Sequence, residues 1–238
     1  MELIHWSDLA ALAYMLVAWC AYAIYVRRRA KAGKLPSLSR GLTMHRRAWV
    51  ERMLKREMRM TDASLLGNQE RVVGFFASST LLLLAAIFTA ISSSSLISEM
   101  AAQLPFAEPQ TPQQVQFKLF VLAMVLIYAF FTVTWSLRQY GFVNILMGAA
   151  PLPEEALDGG SRRRYVESLV KLLDRAGHDN NSALRAYYFC LAMLFWLFHI
   201  GFFVVATTMI IGILYHRECS SAAVRTMELA LIETGDAL

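Results

Sequence analysis

Four apolar runs, Leu9–Val26, Val72–Ile91, Leu119–Leu137 and Tyr187–Tyr215, contain no Lys, Arg, Asp or Glu. Each is long enough for a helix to cross a hydrocarbon layer roughly 30 Å thick. A soluble fold would have to surround each run with apolar partners, which 238 residues cannot supply. Hydrophobic residues make up 57% of the chain and charged ones 17%, against about 45–50% and about 25% in soluble domains. The pattern predicts an all-α, polytopic membrane protein with four transmembrane helices. The fourth run would measure about 43 Å as a single helix, so it is expected to tilt or protrude.

The basic residues are segregated. Of 23 Lys and Arg, 13 fall in residues 27–71 and 7 in residues 138–186; Lys118 stands alone in residues 92–118, and Arg217 and Arg225 lie in the tail. Basic connections stay in the cytoplasm. This places segments 27–71 and 138–186 inside, and the 92–118 loop, the 216–238 tail and both termini outside a bacterial inner membrane. The acidic front of the first run, with Arg27–Arg29 behind it, is the reverse of a cleaved signal peptide. The whole chain, 1–238, reads as a single membrane domain.

The two inner segments carry 20 basic and 10 acidic residues. Such a layer is suited to anionic lipid headgroups, each basic residue near the surface contributing about 1 kcal/mol. Topology alone would leave the same bias, and nucleic acid is not the expected partner. Within the first segment, apolar residues from Trp49 to Leu66 recur at three- and four-residue steps between basic ones, so Thr43–Leu66 is read as a basic amphipathic cytoplasmic helix. It would either lie in the interface or pack on the protein's own spans, with Glu51 and Lys55 as an i,i+4 pair. A second such helix is expected over Ser161–Ala176, with Glu167 and Lys171 paired, Gly177 as its C-cap and Asn180–Ser182 as a fresh N-cap. Ser7 and Asp8 are expected to cap the first span, with Trp6 and Tyr22 near its two surfaces. Gly74 and Ser78 would permit close helix approach. The loop holding Pro105, Pro109 and Pro112 reads as irregular.

Three sets of residues are candidates for function. His199 lies about midway along the fourth run, where an ionisable group suggests a proton or ion site; the alternative is a neutral ring bonded to Ser78, Ser79 or Thr132. Asp62, Asn68, Glu70 and Arg71 form a polar cluster at the inner mouth of the second span, suited to selecting a permeant species or to capping and salt-bridging. Arg46, Arg47, Arg52, Arg138, Arg162, Arg163 and Arg164 are candidate lipid or partner contacts. The histidines have no metal-ligand spacing, and no nucleophile elbow, phosphate loop or Cys-x-x-Cys occurs. No enzyme activity, metal or cofactor is therefore expected. Cys20, Cys190 and Cys219 form no disulfide framework.

Several aromatic-rich segments occur together: Phe75-Phe76-Ala77-Ser78, Trp135 to Tyr140, and Asn181 through Arg185-Ala186-Tyr187-Tyr188-Phe189 to Trp196. Together they resemble an uncharacterised family of four-span membrane proteins of bacteria and plants, classed as a domain of unknown function. The resemblance covers roughly residues 7–220. It implies a single membrane domain and carries no substrate or active site.

Four helices rarely enclose a water path, so conduction would require a homo-oligomer with a pore between subunits. The leading expectation is an oligomeric channel or transporter for small ions, biased toward anions by its basic face. The alternative is a non-transporting scaffold or accessory subunit that holds anionic lipid or a cytoplasmic partner. Cysteines placed at Arg46 and Arg163 should react with a membrane-impermeant thiol reagent only from the interior; reaction from outside overturns the orientation.

Overall fold

The computed structural model describes residues 5–32, 38–155 and 158–219, together with residues 222, 226, 227 and 230. Among these the chain is helical, with no strand. The helices are α1 (Trp6–Ala32), α2 (Leu38–Met53), α3 (Met60–Ser92), α4 (Ser94–Ala102), α5 (Pro112–Gly148), α6 (Gly159–Trp196) and α7 (Ile200–Cys219). Four segments, Trp6–Arg29, Met60–Ser92, Pro112–Gly148 and Ile200–Glu218, are long and apolar enough to cross a membrane. The chain is an all-α, multi-pass membrane protein. Its residues divide into two units.

The first unit draws on Met1–Arg28, Ser78–Phe131 and Ser182–Arg217. Its side-chain pairs set the helix directions. Asp8 of α1 meets Lys118 of α5, and Trp19 lies edge-on to Tyr128, so α1 and α5 run parallel. Tyr14 is bonded to Thr208, and Tyr22 donates to the Leu214 carbonyl, so α7 runs parallel to α1 as well. The end of α6 runs the other way. Trp196 reaches Asp8, Phe189 stacks on Trp19 at 4.7 Å, and Arg185 sits over Tyr22. This segment is the core of the unit: Ala183, Ala186 and Ala192 are fully buried beside Phe189, Met193 and Trp196, small residues letting neighbours approach.

That geometry corrects the expectation for the fourth apolar run. Tyr187–Tyr215 is not one helix: α6 ends at Trp196, the chain turns through Leu197–His199, and α7 returns antiparallel to α6. Trp196 stacks on Phe203 across the turn, and Arg217 donates to Tyr188 near the far end. The excess length is a hairpin, not a tilt. Because α7 is parallel to α1, the N-terminal end of α1 and the C-terminal end of α7 lie at opposite ends of this unit.

Smaller corrections follow from side-chain chemistry. The helix α1 begins at Trp6, and Asp8 sits in its first turn, where it binds Trp196 and Lys118 instead of capping. Tyr22 is buried, drawn in by the Leu214 carbonyl. The proline loop opens with helix α4 before its irregular stretch.

The second unit comprises Arg29–Ala77, Thr132–Asn181 and Glu218–Leu238. Here the expected 43–66 helix is two. The first, α2, stops at Met53, so Lys55 lies past its end and does not pair with Glu51 along a helix. The fully buried carboxylate of Asp62 causes the break: its Oδ1 accepts from Trp49 Nε1 and from Arg56 Nη1, each at 2.6 Å. Arg59 then donates to the carbonyls of Ala150 and Pro151. Val50, Met53, Leu54 and Leu66 are buried inside the protein while Met58 and Leu65 are exposed. The apolar face of α2 therefore packs on the chain itself.

The second expected break does not occur. The 38 residues of α6 run through Gly177 and Asn180–Ser182 without interruption. Gly177 is a docking position: a Cβ there would come within 2.5 Å of the Arg46 guanidinium, which passes it to bind Asp174 at 2.7 Å. Glu167 pairs with Arg163, not Lys171. The carbonyl of Ala176 accepts from Ser136 and the carboxylate of Asp179 from Gln139, which ties α6 to α5. The helix α5 continues beyond Arg138–Phe142 to Gly148. Gly74 has open space where a Cβ would stand, so no close approach depends on it.

The hairpin makes a prediction. In a protein cleared of its own cysteines, Trp6→Cys and Ala222→Cys should label from opposite sides of the membrane; labelling from one side contradicts the parallel packing of α1 and α7.

Candidate functional site

Where α6 stops, its last carbonyls lose their intrahelical donors. The Trp196 carbonyl and the two that follow it in the turn, of Leu197 and Phe198, are taken by other segments of the first unit. Lys118 Nζ donates to the Trp196 carbonyl at 3.0 Å, Gln110 Nε2 to that of Leu197 at 2.8 Å, and the Glu108 amide to that of Phe198 at 2.9 Å. The α7 end is capped by His199. Its carbonyl accepts from the Phe203 amide, and its ring Nδ1 accepts from the Gly201 amide at 2.8 Å, the part Ser or Asp usually plays.

Around this turn sit two charge pairs. In the buried one, Lys118 Nζ lies 3.3 Å from Asp8 Oδ1, the same oxygen that accepts from Trp196 Nε1 at 2.7 Å. The ammonium also lies 5.3 Å from the Trp196 ring centroid. Asp8 and Lys118 are both over 90% buried and Trp196 wholly so. Every contact of this triangle bridges two of α1, α5 and α6. The second pair is half exposed: His199 Nε2 stands 3.0 Å from Glu108 Oε1. Because Nδ1 is an acceptor, the proton of the neutral ring resides on Nε2 and faces Glu108. A buried amide oxygen, Gln110 Oε1, has no partner.

His199 thus ends up at a helix junction rather than along a helix. Its partners are Glu108 and Gly201, in place of the expected hydroxyls of Ser78, Ser79 or Thr132. The rest of the arrangement went unread in the sequence, although one signal was present. Lys118 is the lone base in its segment, and Asp8 is the lone acid at the lip of an apolar run. Isolated opposite charges at two span ends suggest a pair.

The inner-mouth residues lie in the second unit and do not gather. Asp62 is taken by Trp49 and Arg56, Asn68 accepts from Arg71, and Glu70 accepts from Asn144 at 2.7 Å. Asp62 and Glu70 tie α3 to neighbouring elements, whereas the Asn68–Arg71 bond lies within α3. The candidate lipid contacts gather in part, with Arg47, Arg162 and Arg163 on one cleft, and the others are dispersed. Arg46 is bound to Asp174, Arg163 to Glu167 and Arg164 to Ser161. Arg138 lies over the Phe142 ring at 5.6 Å, and Arg52 is exposed on the last turn of α2. Arg47 and Arg162 line clefts. The hydrogen bond from Arg163 holds the exposed Glu167 carboxyl below its ordinary value, and the side chain and amide of Ser161 do the same for Asp158. Cys20 and Cys190 are free thiols, Cys190 buried; the Cys219 side chain lies outside the described residues. Among the described residues no three His, Cys, Asp or Glu are placed to share a metal ion.

Residues 10–223 match the family described as protein of unknown function, DUF599. No curated protein and no solved structure matches the chain. The family match runs from within α1 to beyond α7, in keeping with the resemblance seen in the aromatic segments, and the chain belongs to the DUF599 family.

Proposed function

We propose that the protein moves small ions across a bacterial inner membrane as a homo-oligomer, without catalysing a reaction. The observation that carries this reading is the buried Asp8–Lys118 pair beside the α6–α7 turn. Ionisable groups are costly in a membrane protein and are kept mainly where they serve a transported charge. Non-helical backbone at membrane depth is tolerated where it is buried in protein or lines a polar path, and the Leu197–His199 turn is such a stretch. His199 and Glu108, half exposed beside the turn, supply titratable groups at its approach.

The parallel packing of α1 and α7 supports a revised orientation, with the N-terminus outside and the C-terminus inside. The tail then joins the basic connections, so 22 of the 23 Lys and Arg lie inside and only Lys118 outside. That distribution satisfies the positive-inside rule better than two external termini. A cytoplasmic face this basic favours anions over cations.

A second reading has its own support. Three carbonyls freed at the turn already have donors from the protein, as a purely structural latch in a scaffold or accessory subunit would require.

Neutralising the pair separates the two. Lys118→Met should destabilise the detergent-solubilised protein by about 3 kcal/mol, because it strands the buried Asp8 carboxylate. The double variant Asp8→Asn, Lys118→Gln retains donors and acceptors and should unfold within about 1 kcal/mol of the parent. In liposomes the parent should give flux driven by a salt or pH gradient, and the folded double variant should not. Parent protein without flux, or a double variant with full flux, overturns the transport reading in favour of the latch.

A further inference from the structure

In the second unit, a cleft of about 300 Å³ is lined by Arg47, Glu51 and Lys55 and by Arg162, Arg163 and Glu167 from the first turns of α6. Arg163 and Glu167 satisfy each other at 2.9 Å. Arg47, Lys55 and Arg162 make no side-chain hydrogen bond or ion pair to the described residues, and Arg162 Nη2 is buried with no acceptor. A buried guanidinium nitrogen without an acceptor is costly and calls for an anionic oxygen. The four cations outnumber the two carboxylates by two charges. A cavity of about 880 Å³ shares Arg47 and Glu167 with the cleft and adds Lys171 and Arg175, neither of which is paired among the described residues. Its carboxylates Asp174 and Asp179 are held by Arg46 and Gln139. Asp158 binds the Ser161 amide at the α6 N-terminus, so the helix end is already capped and the side chains must do the binding.

We infer that this cleft binds a phosphomonoester dianion, its oxygens shared between Arg162 and Arg47 with Lys55 at the rim. Two excess positive charges match a dianion, and guanidinium forks suit phosphate oxygens. The volume is at the small end of ligand pockets, about 300–1,000 Å³. The adjoining cavity leaves room for the ester group. The site stands whether or not the protein conducts ions. It goes beyond a diffuse basic layer, because diffuse attraction would treat monoesters and diesters alike and would be indifferent to which arginine is removed.

Calorimetric titration of the full chain in a zwitterionic detergent tests this with three probes: inorganic phosphate, dioctanoyl phosphatidic acid, and dioctanoyl phosphatidylglycerol as the diester control. Saturable binding of phosphate or phosphatidic acid is expected, weakened about tenfold or more by Arg162→Gln and by Arg47→Gln. Arg164→Gln, one residue pair along and bound only to Ser161, should leave it unchanged. Binding of both probes identifies the phosphate group itself as the ligand; binding of phosphatidic acid alone identifies a lipid. If Arg162→Gln fails to fold, Arg47→Gln, whose side chain is exposed and unbonded, carries the test. No saturable binding of either inorganic phosphate or phosphatidic acid, equal binding of phosphatidylglycerol, or equal loss in Arg164→Gln overturns the inference.

Discussion

A helix that ends inside a membrane protein exposes carbonyl oxygens where water is scarce, and each left unsatisfied costs several kcal/mol. The turn between α6 and α7 exists because Lys118, Gln110 and the Glu108 amide supply donors to Trp196, Leu197 and Phe198. Much of the first unit depends on that provision. It lets α6 end beside the start of α1 and allows α7 to return along α1. Asp8 completes the arrangement: without its carboxylate the Lys118 ammonium would be buried alone, and Trp196 would lose its acceptor.

The second unit uses charge in another way. Its basic residues are spent one by one on neighbouring carboxylates and carbonyls: Arg46 on Asp174, Arg56 on Asp62, Arg59 on Ala150 and Pro151. What composition presents as a uniform basic layer is therefore a framework of specific ties. Among the described residues, Arg47, Lys55, Lys171 and Arg175, with part of Arg162, make no such tie and keep their bonding capacity for something else.

How far the sequence could be read follows from the range of the interactions. Apolar runs free of charge are local facts, so the helical class and the membrane setting were legible from composition and length. Helix ends were read less well. Gly177 looked like a stop, yet its role is to admit the Arg46 guanidinium, a contact across 131 positions. The break after Met53 carries no glycine or proline and is enforced by Asp62. The turn at Leu197–His199 is hidden in apolar residues, and the one hint was a run too long for a single crossing. The candidate site followed the same rule: His199 stood out because a titratable ring in an apolar run is conspicuous, whereas Asp8 and Lys118 are unremarkable until α1 and α5 bring them together.

The sequence by itself determined that the chain is helical, lies in a membrane and gathers its basic residues into two connections between apolar runs, since hydrophobic length and charge placement act residue by residue. Only the tertiary structure decided that the last apolar run is a hairpin, that α7 runs with α1, and that one aspartate and one lysine share a buried site. Those outcomes depend on donors and acceptors meeting across 78 to 194 residues, and no local pattern records such a meeting.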